Sequence, residues 1–198
     1  MTNIILNYKE LKAIALAASN EESRNYLNGV YVETYEDDKH SLAATNGHIL
    51  MSVRSSQNPT KGFILATADI NKLVSACEFE IKVNKQIKNK IGIRISTTDN
   101  VNYMAEIVIP DDIIKQQFNF KPIDGTFPDY RRVTPSLDAI EATTSVSFNP
   151  EYITTFSKAA KLLNDRKYQA IKINTTGNAL LIDIDYPEFK GVLMQMRF

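Results

Sequence analysis

Apolar side chains recur at helical spacing in three separate segments of the chain. Within each segment they lie three or four residues apart, which places them on one face of an α-helix. In chain order, the three apolar stripes are Leu11, Ile14, Ala15 and Ala18; Ile70, Leu73, Val74 and Cys77; and Ile153, Phe156, Ala160 and Leu163. We therefore expect three amphipathic helices, each packed by its apolar face.

Each predicted helix is preceded by a short apolar run and by a residue suited to begin a helix. Asn7 and Asn149 can cap the free backbone N–H groups of a first turn, and Thr67 lies at a similar place in the second segment. Glu10, three residues after Asn7, gives a spacing like that of a capping box. Pro150 stands at a first helical position, where proline is favoured. Each segment thus predicts a strand that leads directly into a helix.

Three strand-like runs follow each predicted helix. They cover residues 29–35, 40–45 and 48–54, then 79–84, 90–97 and 101–109, and finally 168–176, 179–186 and 190–198. Asn-Gly pairs at 28–29 and 46–47 are typical of tight turns between antiparallel strands. The chain therefore predicts an α+β fold of three β-α-β-β-β units, which begin near residues 2, 61 and 144 and are called units one, two and three.

The segment DGTFPDYRRVTP, residues 124–135, separates unit two from unit three and is unusual for a connector. Its two prolines favour extended backbone, and it carries Phe127, Tyr130 and Val133 beside two arginines. Flexible linkers are instead rich in Gly, Ser and polar residues. We therefore expect this connector to be held against the body of the protein.

Acidic and basic residues balance, because 23 Lys and Arg face 23 Asp and Glu. Proteins that hold nucleic acid by affinity usually carry a basic excess, so a DNA role would need a local basic surface or an attachment that avoids tight contact. No run approaches the roughly 18 apolar residues of a membrane span, and no secretion signal is evident at the N-terminus. Together with a single cysteine, which excludes an internal disulfide, these features favour a cytoplasmic protein.

Side chains suited to catalysis or metal binding are sparse. The sequence lacks the spacings of zinc sites, glycine-rich phosphate loops and nucleophile elbows. Its two histidines, His40 and His48, lie in predicted turns, and Cys77 lies on an apolar stripe, where a core position is the simplest interpretation. The acidic runs at 36–38 and 110–112 are typical of solvated loops. We expect no enzyme activity, no metal and no cofactor.

The polar faces of the three predicted helices all carry lysine. Lys9 and Lys12 lie on the first helix, Lys72 on the second, and Lys158 and Lys161 on the third. For any one of them, a solubilising surface charge is the simpler interpretation. Their recurrence on all three helices favours the alternative that the helices present cations to the phosphates of DNA.

Three separated stretches resemble one protein family. YLNGVYVET with LAATNGHIL, the connector DGTFPDYRRVTP and the terminal VLMQMRF are similar, in this order, to signature segments of the bacterial DNA polymerase III beta subunit, the sliding clamp. The connector is the most specific of the three, and the resemblance spans nearly the whole chain. Ile49, Gln195 and Phe198 depart from the family's usual arginine, proline and leucine, and we expect Gln195 to loosen the tail.

The resemblance implies a DNA-clamp fold with a hydrophobic pocket for short peptides from polymerases and other partners. In the family, the connector forms part of this pocket. Carried over residue by residue, the pocket would comprise Leu27, Thr45, Gly47, His48, Leu50, Pro128, Arg131, Val133, Met194, Met196 and Arg197. Arg24 resembles a DNA-facing loop position and would join the five helix lysines.

The resemblance also implies a domain arrangement. Residues 1–123 correspond to the family's middle domain, 124–135 to its connector and 136–198 to the second half of its last domain, with nothing like the first domain. A family ring contains twelve units, so chains of three units would close an equivalent ring as a homotetramer. Unit three would then find its partner unit on another chain.

Two functions remain open at this point. The first is a processivity factor that encircles duplex DNA through weak, sliding contacts and tethers a polymerase, with or without a clamp loader. The second is a peptide-binding adaptor that keeps the pocket and does not encircle DNA. The absent first domain favours the adaptor, whereas the lysines on all three helices favour the clamp.

Overall fold

The computed structural model describes residues 2–36, 39–54, 56, 58–136, 138, 140, 145–164, 166–177 and 179–196. Within these ranges the helices are α1 (Tyr8–Ala15), α2 (Thr67–Val83) and α3 (Pro150–Leu163). The strands are β1 (Thr2–Asn7), β2 (Gly29–Thr34), β3 (His40–Thr45), β4 (Ile49–Val53), β5 (Lys61–Ala66), β6 (Gly92–Thr97), β7 (Tyr103–Ile109), β8 (Ile113–Phe120), β9 (Ile171–Thr176), β10 (Ala179–Ile184) and β11 (Phe189–Met194). The predicted α+β class is confirmed.

Two of the predicted helix starts are also confirmed. The side chains of Asn7 and Asn149 accept hydrogen bonds from the backbone N–H groups of Lys9 and Glu151, and each thereby satisfies a donor that has no partner inside the helix. Thr67 is instead the first residue of α2, and its hydroxyl donates to the backbone carbonyl of Asn28. The start of α2 is therefore fixed by a contact with unit one.

The strands form two antiparallel sheets, and units one and two exchange their first strands. The first sheet has the order β1-β6-β7-β8, and the second has the order β5-β2-β3-β4-β11-β10-β9. Thus β1 of unit one pairs with β6 of unit two, while β5 of unit two pairs with β2 of unit one. This reciprocal exchange joins the two units into one body.

Unit three continues the second sheet of this body. Its last strand, β11, pairs antiparallel with β4, and α3 packs beside α1, which lies between α2 and α3. The buried carboxylate of Glu10 on α1 reinforces the joint, since it accepts hydrogen bonds at 2.6 Å from Arg54 Nη1 of unit one and from the Tyr186 hydroxyl of unit three. One helix layer therefore runs across all three units.

The central strands of the second sheet, β2, β3 and β4, are buried on both faces. One face packs under the helices, with Leu42, Met51 and Leu193 in the main core. The alternate positions of the same strands, such as Leu50 and Val192, form a smaller apolar cluster on the opposite face. This second cluster lies where the connector crosses the sheet.

Three details of the predicted units are wrong. Residues 79–83 extend α2 instead of forming a strand, because no breaker interrupts the helix before Asn84. The third strand after α2 is β8, which was not predicted because its side chains are mostly exposed and half of them are polar. The predicted strand before α3 is not formed within the described residues 145–149, since no strand of this chain pairs beside it.

The first helix is shorter than its apolar stripe suggests. It ends at Ala15, and the backbone N–H groups of Leu16, Ala17 and Ala18 bond to carbonyls three residues earlier. Ala18 therefore lies beyond α1. In the described ranges no helix is both long enough and apolar enough to cross a membrane.

Candidate peptide-binding site

The connector lies flat against the outer face of the second sheet. Phe127 stacks on Tyr31 of β2 with ring centroids 4.9 Å apart, and Tyr130 is only 2 % exposed. Just before the connector, the backbone N–H of Ile123 donates to the carbonyl of Ile64 on β5. The aromatic side chains that made this segment unusual in the sequence therefore attach it to units one and two.

A buried carboxylate on β2 fixes the connector in place. Glu33 is 2 % exposed, and its oxygens accept hydrogen bonds from Arg131 at 2.6 and 2.9 Å and from the Tyr130 hydroxyl at 2.8 Å. Ser41 of β3 donates a further bond at 2.7 Å. Burial alone would raise the pKa of Glu33, but these bonds and the charge of Arg131 outweigh it and lower the pKa.

Arg131 therefore points into this network and not to an open rim. Its guanidinium also donates to the backbone carbonyl of Ser56 at 2.7 Å. The next two residues, Arg132 and Val133, are exposed, and the Val133 side chain is 58 % accessible. Pro128 is exposed as well. Arg132 and Val133 are thus exposed to solvent, while Arg131 bonds to Glu33 and Ser56.

Side chains from several elements form an apolar floor beside the connector. Leu27 precedes β2, Leu50 lies on β4, Ala179 begins β10 and Val192 lies on β11, and all four belong to the cluster on the outer face of the sheet. Leu50 and Val192 are directly opposite each other across the β4–β11 pair. The floor therefore spans the seam between units one and three.

The β3–β4 turn forms one side of this floor. The Thr45 hydroxyl donates to the Ile49 carbonyl at 2.6 Å and accepts from the Gly47 N–H at 3.0 Å. Gly47 has a φ of 90°, a conformation that glycine adopts without the strain a side chain would add. Asn46 accepts hydrogen bonds from the N–H groups of His48 and Ile49. The turn is rigid, and it presents His48 at the surface.

The chain end of unit three approaches the same turn. The Met194 N–H donates to the His48 carbonyl at 2.9 Å, and the His48 ring stacks on Tyr152 of α3 with centroids 5.8 Å apart. Met194 and Met196 are 40 % and 56 % exposed. Arg197 lies outside the described residues. Two flexible thioether side chains therefore border the apolar floor next to an exposed imidazole.

Gln195 does not loosen the tail as expected from its replacement of proline. Its amide donates to the Gly177 carbonyl in the β9–β10 turn at 2.7 Å, and the Met196 N–H donates to the Ser147 carbonyl at 2.8 Å. These two bonds anchor the segment between its two methionines. The side chain at position 195 thus supplies a restraint that a proline ring would have supplied by its stiffness.

Arg24 lies with the pocket residues and not with the helix lysines. A Cβ built on Gly47 would be 3.0 Å from Arg24 Nη1, so the guanidinium covers the β3–β4 turn. Glu21 holds it there through hydrogen bonds at 2.6 and 2.8 Å. Position 24 therefore contributes a cation to the edge of the site.

The structure brings most of the predicted pocket residues to one seam and adds three that were not predicted. Tyr152 stacks on His48, and Ala179 and Val192 belong to the apolar cluster of the floor. The alternation of β10 and β11 could have indicated Ala179 and Val192. Nothing local to Tyr152 indicates its place, which follows from the packing of α3 beside α1.

The predicted DNA-facing lysines lie on the helix layer, and several are engaged. Lys12 of α1 bridges to Glu78 of α2, and Lys72 bonds to Asp69 one turn earlier. Lys9 donates to Asn89 at 3.1 Å. Lys158 and Lys161 are exposed along α3. These side chains share one layer, while Arg24 lies apart from them.

The family model for the central domain of the DNA polymerase III beta subunit matches residues 6–129, which is more than half of the chain. The chain belongs to the DNA polymerase III beta subunit family. The match covers units one and two and the first part of the connector. The match ends before unit three.

Curated relatives agree with this assignment. The beta sliding clamp of Proteus mirabilis is 24% identical over 182 residues, which cover 90% of this chain and 44% of the relative. That of Vibrio cholerae is 29% identical over 181 residues, with 86% and 42% covered. The chain thus spans less than half the length of these relatives.

Solved structures of clamps share the fold over the full chain. The sliding clamp of Pseudomonas aeruginosa superposes with a TM-score of 0.68 at 17% identity, covering 100% of this chain and 66% of that one. The DNA polymerase III beta subunit of Thermotoga maritima gives a TM-score of 0.66 at 14% identity, with 100% and 66% covered. The arrangement of all three units is therefore that of a clamp.

Proposed function

We propose that this protein is a sliding clamp, which tethers polymerases and other partners through the seam between units one and three and encircles duplex DNA with its helix layer. The observation that carries the proposal is the apolar floor of Leu27, Leu50 and Val192, bordered by the exposed Val133 and Met194. Val133, Met194 and Met196 remain exposed, as expected for apolar side chains that a ligand covers.

The chemistry of this seam suits a short peptide with aliphatic or aromatic side chains. Methionine side chains adapt to the shape of an apolar ligand, and the buried floor offers contacts without a loss of side-chain freedom. The cation of Arg24 and the imidazole of His48 border the floor, where they can orient the polar backbone of a peptide. The site needs no metal or cofactor to bind such a ligand.

Peptide binding is tested with a fluorescein-labelled peptide from a polymerase that binds a family clamp. Replacing Met194 and Met196 by Ala should abolish measurable binding in fluorescence anisotropy, because it removes the mobile apolar border of the floor. Both side chains are exposed, so the unfolding midpoint should change little. Val101→Ala, an exposed apolar position on the β6–β7 turn, is the matched control. Unchanged affinity in the double variant would remove the pocket assignment.

The proposed encirclement draws on the helix layer and on topology. A net charge of zero suits a ring, because a closed ring is retained without tight phosphate contacts. The exposed Lys158 and Lys161 would supply weak contacts that allow sliding. The clamp structures that this chain resembles share its fold over all three units.

The adaptor remains the second candidate, and one observation favours it. Lys12, Lys72 and Arg24 are paired with Glu78, Asp69 and Glu21, which reduces the positive charge available to DNA. Retention on DNA distinguishes the two functions. A clamp bound to nicked circular DNA should be released when the DNA is linearised, whereas an adaptor should bind neither form and still bind the peptide.

A further inference from the structure

The strands exchanged between units one and two share a pattern with the segment before α3. In each, apolar residues stand one and three positions before the residue that caps the helix. They are Leu6 and Ile4 before Asn7, Leu65 and Phe63 before Ala66, and Val146 and Phe148 before Asn149. The first two pairs are at most 7 % exposed, whereas Val146 and Phe148 are only half-buried. The segment before α3 thus has the same apolar pattern, but its apolar side chains are less buried.

Each exchanged strand covers the first strand after the other unit's helix. On β6, Leu6 lies opposite Ile93 and Ile4 opposite Ile95; on β2, Leu65 lies opposite Val30 and Phe63 opposite Val32. All four covered residues on β6 and β2 have 0 % exposure. The exchange therefore completes the core of each unit at this edge.

The equivalent edge of unit three is uncovered in the described part of the chain. β9 pairs with β10 alone, and its sequence Ala170-Ile171-Lys172-Ile173 follows the pattern of Gly92-Ile93-Arg94-Ile95. Ile173 lies opposite the core residue Ile182, yet it is 42 % exposed. An apolar core position at an open strand edge is a site for strand addition.

The segment before α3 is already held in the position that an exchanged strand takes. In β5 the carbonyl of Ile64, two residues before the cap, accepts from the N–H of Ile123, which follows the last strand of the same unit. Ser147 stands in the equivalent place, and its carbonyl accepts from the N–H of Met196, which follows β11. By this equivalence, residues 146–148 present their opposite edge as β5 presents its own to β2.

We propose that unit three pairs with unit three of a second copy of this chain, each adding residues 146–148 to the outer edge of the other's β9. Phe148 would lie opposite Ile171, Ser147 opposite Lys172 and Val146 opposite Ile173. Only the biological role of this pairing rests on the proposed clamp function, because the pair would complete the half domain that a ring requires. The pairing itself is a property of the fold.

A second copy fits this edge better than an unrelated strand because the contact is reciprocal. The same two segments meet twice about a two-fold axis, as β1 and β5 do between units one and two.

A cysteine pair tests the register directly. Ser147→Cys with Lys172→Cys places thiols at directly opposed positions, equivalent to Ile64 and Tyr31 of the β5–β2 pair. Such positions on neighbouring strands are close enough for a disulfide. Oxidation should yield a covalent dimer from the double variant and not from either single variant. The native Cys77 is buried and does not compete. Absence of the dimer would overturn the proposal.

A charge on β9 gives a second, independent test. Ile173→Lys should weaken self-association at least ten-fold by light scattering, because it places an ammonium in the paired edge. Val101→Lys, also exposed but outside this edge, should leave the mass unchanged. Equal masses for both variants would contradict the proposal. Peptide binding measured on the same samples separates the two ideas, since a chain that binds peptide yet never self-associates overturns only the strand exchange.

Discussion

At the residue scale, the position of the connector depends on the buried carboxylate of Glu33. It accepts hydrogen bonds from Arg131 and Tyr130 of the connector and from Ser41 of the sheet. The charge of Arg131 compensates for the burial of this carboxylate. A single acidic residue on β2 thus sets the position of Val133, which lies two residues after Arg131 at the proposed pocket.

Replacing Glu33 by Gln should destabilise the fold and weaken peptide binding together. The variant leaves a largely buried guanidinium without its anion, which typically costs about 3 kcal/mol. Urea unfolding should show a lower midpoint, and the same sample should bind the labelled peptide less tightly because the connector is no longer fixed. Glu36→Gln makes the same chemical change at an exposed position and is the control. Equal midpoints for the two variants would contradict the role assigned to Glu33.

Acid should destabilise the protein through His40. Burial, and then the charge of Arg54, lower the pKa of His40 from 6.5 to about 4, although Glu10 opposes the shift. Below pH 6.5 the imidazole of His40 therefore binds a proton in the unfolded chain, while in the folded protein it stays neutral down to a pH of about 4. The unfolding free energy falls as the pH decreases from about 6.5 to about 4.

His40→Gln should flatten this pH dependence in urea unfolding series. Arg54 Nη2 donates to His40 Nε2 at 3.0 Å, and the Gln amide oxygen can accept in place of the ring. The exposed His48 is the only other histidine, so His48→Gln should keep the slope of the parent protein. Identical slopes in the His40 variant and the parent protein would show that another group causes the acid sensitivity.

The adjacent Arg131 and Arg132 show that the sequence alone does not determine the role of a single residue. Arg131 and Arg132 are adjacent and chemically identical, and either could have been assigned to the pocket. Only the position of Glu33, 98 residues from Arg131 in the chain, decides that Arg131 turns inward and Arg132 outward. Cys77 was easier to predict, because its helical spacing alone places it in the core, and it is fully buried.

At the element scale, local signals predicted the helices well and the strands unevenly. Asn7 and Asn149 mark helix starts because their side chains satisfy nearby donors, which is a local interaction. The run from Phe79 to Val83 alternates like a strand, yet it continues α2, because helix propagation past Cys77 meets no breaker. Most side chains of β8 are exposed and half are polar, so its pairing with β7 could not be inferred from its own residues.

The lysines of α3 provide a test of the helix layer. Lys158→Glu with Lys161→Glu should reduce retention on DNA several-fold at low salt, because both side chains are exposed and no other unit covers them in the described structure. Peptide binding should be unchanged. The matched control is Lys121→Glu with Lys190→Glu, which makes the same charge change away from the helices. Equal retention in the two double variants would mean that the α3 lysines are ordinary surface charges.

At the scale of the whole molecule, three units form one continuous array with an open strand at each end. β8 closes the first sheet with one neighbour, and Ile113 and Ile114 on it are 47 % and 43 % exposed. β9 ends the second sheet, with Ile173 exposed. If β8 pairs with β8 of one neighbouring copy and unit three pairs with unit three of another, each contact is two-fold symmetric. The two kinds of contact then alternate around the assembly. Four chains of three units then supply the twelve units of a family ring.

The measurement that tests this account most directly is the solution mass of the unmodified chain, by light scattering over a wide range of protein concentration. A closed ring predicts a mass near four times that of the 22.3 kDa chain, which stays constant over that range. A mass that remains that of one or two chains at every concentration would contradict self-assembled encirclement of DNA.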